Sequence, residues 1–507
     1  MAPMAPTPQV VNRPRILIVG GGYVGLYAAL GLQKKIKEQG GIVTLVDPLP
    51  YMTYQPFLPE VAAGNIESRH AVVSHRRHLK DTELINGKVI AVDHDARTAT
   101  IQSVDNEDPF QISYDEIVIA AGSITRTFPI PGLDEAAVGL KAIEEANGIR
   151  NQTLELIETA SLTADEDVKR RSLTFVVVGG GFAGIEILAE LEDMARVAAE
   201  RNPRLKPSDL RFVLVEAMGR IMPEVTEEQA VKVVEHLRSR GIEVHLNTSL
   251  ASAEGGHLKL ISMPDKAPKD EFDADTLIWT AGVQANPMAK NTGFPLDDRG
   301  RVRVSADLRI TGDDGPIPGA WAAGDVAAVP DLSGEGPGGF CVPNAQHALR
   351  QAKRLAKNLL AARAGQPLVD YKHASLGAVA GFGTWKGVAK IVLGGKTIKM
   401  DGPFAWLAHR GYHGMAMPTV ERKARVIGNW AISLAVGRDT TQLLNLNDPT
   451  RTFREATSPT PKMASPSTVP VGTDPSRERK GIDSRRRVMP LTPGPRETTP
   501  EQTPTTR

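Results

Sequence analysis

The chain has one cysteine, Cys341, in 507 residues. A single thiol excludes an intrachain disulfide, a CxxC redox pair and a zinc–thiolate cluster. Aromatic residues are scarce, at 5%. Neither sign of charge dominates: 60 Lys+Arg against 59 Asp+Glu leave a formal net charge of +1. No basic excess for nucleic acid is therefore expected. No stretch of 18 consecutive apolar residues exists, so no helix is expected to span a bilayer. The longest apolar run near the C-terminus, 430–437, is far too short. Residues 1–15 are rich in proline and lack an apolar core, so no secretory signal is expected there.

What is present is ordinary in amount and unusual in placement. Hydrophobic residues at 41% and charged residues at 23% suit a globular protein. The length suggests about three domains. Residues 457–507 hold ten prolines, no aromatics, and nine Lys/Arg against five Asp/Glu. That composition cannot bury enough apolar surface to offset its ordering entropy, and a disordered tail is expected. The tail carries net +4, leaving −3 on residues 1–456. Its Arg485-Arg486-Arg487 run offers contact with anionic lipid or nucleic acid, against the plainer reading of a solvated tail.

The 47 glycines matter most where they follow apolar runs. Residues 15–19, Arg-Ile-Leu-Ile-Val, read as a buried parallel strand. They lead into Gly20-Gly21-Gly22-Tyr23-Val24-Gly25, a helical stretch at 26–39, and a second strand at 42–46 that ends at Asp47. This is GxGxxG in its strand–turn–helix setting, with an acid 22 residues after the last glycine. Gly20 permits the tight turn, Gly22 lets backbone approach a pyrophosphate, and Gly25 lets helix pack on strand. The helix N-terminus presents free N–H groups to phosphates. Asp47 is placed to accept hydrogen bonds from ribose hydroxyls.

The unit recurs. A strand at 173–178 leads into Gly179-Gly180-Gly181-Phe182-Ala183-Gly184, a helix at 185–200, and a strand at 211–215 that ends at Glu216. The spacing from Gly184 to Glu216 is 32, and the excess is assigned to the helix and an insertion at 201–209. Two such units point to two dinucleotides and electron transfer between them. A carboxylate at Glu216 suits the free 2′-hydroxyl of NADH and repels the 2′-phosphate of NADPH. Arg220 lies close enough in sequence to oppose that preference.

Three more segments end in small residues: 114–122 (closing on Ala120-Ala121-Gly122), 275–283 (Trp279-Thr280-Ala281-Gly282-Val283) and 320–327 (with Gly324-Asp325). With the two loops they resemble the two-dinucleotide-binding-domain flavoproteins. The resemblance implies FAD on the first loop (Gly20, Gly22, Tyr23, Gly25 and Asp47) and NADH on the second (Gly179, Gly181, Gly184 and Glu216). It places Ala121 and Gly122 beside the FAD, Asp325 on the ribityl chain and Gly282 along the NADH. For Asp325, the plainer alternative is a helix N-cap. Within that superfamily, disulfide reductases and sulfide:quinone oxidoreductases need more than one cysteine, and Cys341 stands alone. The remaining likeness is to type II NADH:quinone oxidoreductases, single-subunit enzymes that do not pump protons. It rests on Gly184-Ile185-Glu186 with Glu190, on the Trp279 segment, and on Ala345-Gln346-His347-Ala348-Leu349-Arg350-Gln351. The last is similar to that family's quinone signature, AQxAxQ(Q/E), with Arg350 as a departure. The likeness covers about residues 13–445.

By that likeness, hydride passes from NADH to FAD and electrons pass on to a membrane quinone, menaquinone or ubiquinone. Glu186, Gln346 and Gln351 are the candidate catalytic residues, and no metal site is expected. Glu186, read as lying in the first turn of its helix, either helps position the nicotinamide and relay protons or simply favours the helix dipole. Asn344 is a candidate N-cap for a helix at 345–361, whose dipole suits the charge of reduced flavin. Gln346 then reaches flavin and quinone, or else faces solvent. His347 is read as a packing or surface residue ahead of a proton donor, and Cys341 as a buried thiol.

Residues 396–454 carry nine Lys/Arg against four Asp/Glu, net +5. Val426, Ile427, Trp430, Leu434 and Ala435 are placed near one helical face of 423–436. Basic amphipathic helices with Trp suit a membrane interface. The family likeness makes this region the peripheral anchor on the cytoplasmic face of the cell membrane, with a homodimer contact as an additional or alternative role.

The expected fold is α/β, with two Rossmann-like dinucleotide-binding domains. The FAD domain (13–140 and 296–370) is split by an inserted NADH domain (141–295). A C-terminal quinone-site and membrane-associating region (371–456) and the tail (457–507) follow. Two other functions compete: a soluble NADH-dependent FAD reductase of a small redox protein such as a ferredoxin, and a flavin-binding protein without turnover.

Overall fold

The computed structural model describes residues 13–104, 108–334, 336–374, 376–393 and 396–443. The N-terminal stretch 1–12, the end of the C-terminal region (444–456) and the expected disordered tail (457–507) lie outside the described residues. In chain order, the elements that position the site are β1 (Arg15–Val19), α1 (Tyr23–Glu38), β2 (Ile42–Asp47), α2 (Leu58–Ala62), β3 (Glu116–Ile119), β4 (Thr174–Val178), α3 (Phe182–Arg201), β5 (Arg211–Val215), β6 (Thr276–Trp279), β7 (Gly315–Ala322), α4 (Ala345–Arg363), β8 (Gly377–Gly381), α5 (Gly402–Ala416) and α6 (Val420–Val436).

Runs of Val, Ile and Leu with no polar alternation suit strands covered on both faces. Such runs form the centres of two sheets. In an eight-stranded sheet, β7, β3, β1 and β2 lie side by side and parallel. In a five-stranded, all-parallel sheet the central order is β6, β4, β5. The chain leaves the first sheet after β3, builds the second, and returns to the first at Arg309–Gly312 and β7. In both sheets the strand bearing the glycine loop has its successor on one side and a later strand on the other. The C-terminal ends of β1 and β4 are therefore topological switch points, where ligands bind in such folds.

Helix α1 shows how packing fixes the first loop. Leu26, Ala28, Ala29, Leu32 and Ile36 have no solvent exposure. Burying each of the large aliphatic side chains stabilises the fold by roughly 1.5–3 kcal/mol. α1 also packs on α4, so closely that a Cβ at Gly31 would lie 2.9 Å from the Ala356 Cβ.

Both loop helices start earlier than expected, at Tyr23 and Phe182 rather than at residues 26 and 185. The last glycine of each motif thus lies inside its helix. A Cβ at Gly25 would sit 1.8 Å from the Gly20 carbonyl oxygen, and one at Gly184 1.9 Å from that of Gly179. The early start also moves Glu186 into the second turn, where the helix dipole has less hold on it. The long Gly184–Glu216 spacing resolves into a 20-residue α3 and a connection containing one short turn, Pro207–Asp209.

The expected single apolar face at 423–436 is only partly buried. Val426 and Trp430 are buried, whereas Ile427, Leu434 and Ala435 are exposed. From Val426, at about 100° per residue, Trp430 lies at about 40°, Leu434 at about 80°, Ile427 at about 100° and Ala435 at about 180°, so only one edge of the expected face packs inward.

Candidate cofactor and electron-transfer site

The two glycine loops are built alike. Gly20 has φ +99°, and a Cβ there would lie 2.5 Å from the Ala120 carbonyl oxygen. Gly179 has φ +113°, and a Cβ would lie 2.8 Å from Thr280. Only glycine fits either place. The middle positions differ: beside Gly22 and Gly181 nothing lies within 4 Å of where a Cβ would point. Their backbones adjoin open space at a helix N-terminus, a cradle suited to a pyrophosphate.

Each loop is tied to the acid at the end of the next strand. Asp47 accepts from the Gly21 N–H at 2.6 Å and the Leu49 N–H at 2.7 Å. Glu216 accepts from the Gly180 N–H at 2.5 Å and the Met218 N–H at 2.7 Å. These bonds hold each carboxylate beside its cradle and leave lone pairs for ribose hydroxyls. Burial raises the pKa of Asp47, and the two N–H donors and nearby His75 only partly offset it. Arg220 does not pair with Glu216. Its guanidinium donates to the carbonyls of Val225 at 2.9 Å and Met222 at 3.5 Å.

The segments after β3 and β6, which pack on the first and second loop through Ala120 and Thr280, meet in a short antiparallel pairing of Ser123–Thr125 with Val283–Ala285. Asn286 secures it, its N–H donating to the Gly122 carbonyl and its side chain to that of Ala121. Ala121 and Gly122 thus lie at the junction, and Gly282 borders it with φ +109° and open space beside it. Next to the pairing is a cavity of about 980 Å³, whose lining includes Ser123, Gly324, Asp325, Cys341, His347 and Gln351. Asp325 caps no helix. It accepts from the Ser123 hydroxyl at 2.7 Å, and Lys141 donates to the same hydroxyl at 2.9 Å. Burial lowers the pKa of Lys141, although Asp325 and Glu145 oppose the shift.

Helix α4 approaches this cavity with its N-terminus. Asn344 is its N-cap, accepting from the His347 N–H at 2.8 Å. Gln346 is half-buried and donates to the Gly377 carbonyl at 3.2 Å, so it does not face solvent. Gln351 is 2% exposed and accepts from the Gly324 N–H at 2.8 Å, bracing the turn that carries Asp325. His347 is buried, with its ring nitrogen 2.9 Å from the Tyr371 hydroxyl. Cys341 is half-buried rather than buried, and burial, aided by Asp331, pushes its thiol up to about 11. It is a poor nucleophile at neutral pH.

The C-terminal segments roof the site. Glu186 accepts from the Gly381 N–H at 3.1 Å and lies 3.2 Å from Nε2 of His409 on α5. Arg410 pairs with Glu60 at 3.1 Å, and the Trp430 indole N–H donates to Glu60 at 2.8 Å. Arg438, beyond α6, is 8% exposed and pairs with Glu190 at 2.6 Å and Asp193 at 3.0 Å. Arg240 also pairs with Asp193 and Glu192.

Of the expected site residues, those at the two loops and the Asp325 cavity are brought to one junction. Glu186 lies on the C-terminal side of the second loop, under α5. His75, which meets the Gly21 carbonyl at 2.7 Å, and Lys141, His409 and Arg438 were not foreseen. Each is a lone residue in its own segment, and only folding gives it a partner.

The chain is similar to known oxidoreductases. It is 28% identical over 434 residues to a type II NADH:quinone oxidoreductase of Mycobacterium tuberculosis, covering 84% of this chain and 88% of that protein. It is 27% identical over 426 residues to one of Haemophilus influenzae, covering 79% and 92%. Its fold resembles that of the NDH2 of Plasmodium falciparum solved in complex with NADH, with a TM-score of 0.77, 19% identity, and coverage of 85% of this chain and all of that one. The profile of the pyridine nucleotide-disulphide oxidoreductases matches residues 14–352. With both glycine cradles and the junction between them inside that span, the chain belongs to the pyridine nucleotide-disulphide oxidoreductase family.

Proposed function

We propose that this chain is a type II NADH:quinone oxidoreductase, a dehydrogenase that passes electrons from NADH to a quinone without pumping protons. The observation that carries the reading is the pair of glycine cradles, each with its acid, packed on the two segments that pair at one junction. Similarity to the quinone-reducing relatives over most of the chain supports it.

In this reading FAD occupies the first cradle and NADH the second, with the FAD-binding part of the chain (13–140 and 296–370) enclosing the NADH-binding part (141–295). Bound flavin supplies the two-electron carrier between hydride donor and quinone. Gly22 and the α1 N-terminus hold its pyrophosphate, Asp47 its ribose, and Asp325, set by Ser123 and Lys141, its ribityl chain. The capped N-terminus of α4 favours negative charge in the adjoining cavity. Gly181 and Glu216 hold NADH, and the Glu216 carboxylate, with Arg220 engaged elsewhere, disfavours a 2′-phosphate. The purified holoenzyme therefore oxidises NADH with a short-chain quinone, and NADPH much more slowly. Flavin-containing protein that transfers no electrons from NADH to quinone refutes the proposal.

Among the described residues no helix is long and apolar enough to cross a membrane. We read α5 and α6 as a peripheral membrane contact. Phe404 is 75% exposed and Val420 82%, with Leu407, Met415, Ile427 and Leu434 also exposed, and Arg422, Lys423 and Arg425 on the same hairpin. Apolar side chains flanked by basic ones suit an anionic lipid surface. Replacing Leu407 and Ile427 together by Glu removes two groups worth about 1.5–3 kcal/mol each on burial. Co-sedimentation with anionic vesicles should drop sharply, while activity toward a water-soluble quinone stays within about twofold. Unchanged co-sedimentation assigns this face another role.

A further inference from the structure

In each loop one glycine fills a position that the GxGxxG motif leaves free: Gly21 in the first and Gly180 in the second. Both backbone polar groups of this residue are held. The Gly180 N–H donates to Glu216 at 2.5 Å, and the Gly180 carbonyl accepts from the Met222 N–H at 2.8 Å. The Gly21 N–H donates to Asp47 at 2.6 Å, but its carbonyl meets a side chain, Nε2 of His75, at 2.7 Å. The partners also fill the space of a side chain. A Cβ at Gly180 would lie 2.8 Å from Cγ2 of Ile221, and one at Gly21 would collide with Cε1 of His75.

The fold brings His75 to this place through a detour. Tyr51–Thr53, close after Asp47, pairs with Val72–Ser74, and the His75 N–H donates to the Pro50 carbonyl at 3.0 Å. His75 is 2% exposed. Burial lowers its pKa, against the Gly21 backbone, Asp47 and the Leu49 backbone. The ring is therefore neutral near pH 7 and has one N–H. A carbonyl oxygen only accepts, which puts that N–H at Nε2.

A trans peptide points its C=O and the following N–H in opposite directions. Anchoring the Gly21 carbonyl on His75 therefore turns the Gly22 N–H away from the ring. Among the described residues that N–H donates to no other atom of the chain, and no atom lies within 4 Å of where a Gly22 Cβ would point. It is a free donor at the start of α1, the kind of group that binds a phosphate oxygen. His75 is also the one donor to the Gly21 carbonyl among the described residues.

We propose that His75 is a positioning residue for FAD: its Nε2–H holds the Gly21–Gly22 peptide in the orientation that presents the Gly22 N–H to the FAD pyrophosphate. The inference rests on FAD occupying the first cradle, and it adds a residue 50 positions beyond Gly25. The second cradle needs no such side chain, because the Met222 backbone N–H serves there.

The test reads FAD affinity and the ³¹P spectrum of bound FAD in three variants. His75→Phe keeps the ring and removes the donor. Its FAD dissociation constant, measured by reconstituting the flavin-free protein, should rise about 10–100-fold. The pyrophosphate resonances of the FAD-saturated variant should shift. His75→Gln places an amide N–H near the position of Nε2 and should restore both affinity and resonances. His75→Leu removes the donor with less bulk, and it should lose affinity like the Phe variant even where Phe strains the site. Affinity for ADP-ribose, which reads the second cradle of the FAD-saturated protein, should stay unchanged in all three. FAD held by the Phe and Leu variants as tightly as by wild type, with unchanged resonances, overturns the inference and leaves FAD in the first cradle. Equal losses of affinity at both cradles also overturn it, because they mark general damage. Wild-type protein that binds no FAD overturns the reading itself.

Discussion

Arg438→Met destabilises the protein by about 3–5 kcal/mol, read as a shift in the urea midpoint of the holoenzyme. The guanidinium is 8% exposed and serves two carboxylates, Glu190 at 2.6 Å and Asp193 at 3.0 Å. It also donates to the backbone carbonyls of Glu190 and Ala63. Methionine fills part of the volume but leaves both acids without this cation, and an uncompensated buried charge costs more than a lost contact. Burial works to raise the pKa of Glu190, but Arg438 and then Arg410 outweigh it and hold the carboxyl below its ordinary value of 4.5. Asp193 shares the same arginine and shifts the opposite way, because burial there prevails over Arg438.

The sign of the pH dependence follows from Glu190. A depressed folded-state pKa contributes stability that is present above the ordinary glutamate range and is lost as pH falls through the depressed value. In the variant, the burial of Glu190 is less opposed and its pKa rises. The difference between variant and wild type should therefore be widest at neutral pH and shrink on acidification toward pH 4. A constant difference over that range would place the loss in packing alone.

The second large effect separates ligand space from fold space within the glycine loops. Gly22 (φ −67°) and Gly181 (φ −72°) adopt backbone conformations open to any residue, and no atom waits within 4 Å of a Cβ. Valine at either position should leave the fold intact and intrude on the dinucleotide. Gly22→Val is expected to purify with little flavin. Gly181→Val is expected to keep its flavin and to show an NADH KM raised about 10–100-fold, as 1–3 kcal/mol of overpacking implies. Gly25→Ala and Gly184→Ala place a Cβ within 2 Å of a carbonyl oxygen and should lose folded protein instead. Flavin absorbance per chain, NADH titration and circular dichroism distinguish these outcomes. Full flavin content in Gly22→Val together with an unchanged KM in Gly181→Val contradicts the assignment of the cradles.

Local rules made the loops legible. Strand, glycine spacing, helix and closing acid all lie within about 40 residues, and each obeys backbone sterics that any chain must obey. The Asn344 cap was legible for the same reason, a polar side chain ahead of a helical run. The roof was not. Glu186 and His409 are 223 positions apart, and Glu190 and Arg438 are 248 apart, with no periodicity to announce either pair. Lys141 and His75 reach the site only through the folding of separate segments. In α6, composition correctly signalled an amphipathic helix, but the face was drawn too wide. The Val426–Trp430 stripe packs inward, and the stripe with Ile427 and Leu434 stays outside.

The central claim is that two electrons pass from NADH through one bound flavin to a quinone. It is tested most directly by anaerobic titration of the purified holoenzyme. One equivalent of NADH should bleach the flavin, and one equivalent of a short-chain quinone added afterwards should restore its absorbance and yield quinol. A flavin that NADH leaves oxidised, or a reduced flavin that the quinone does not reoxidise, contradicts the account.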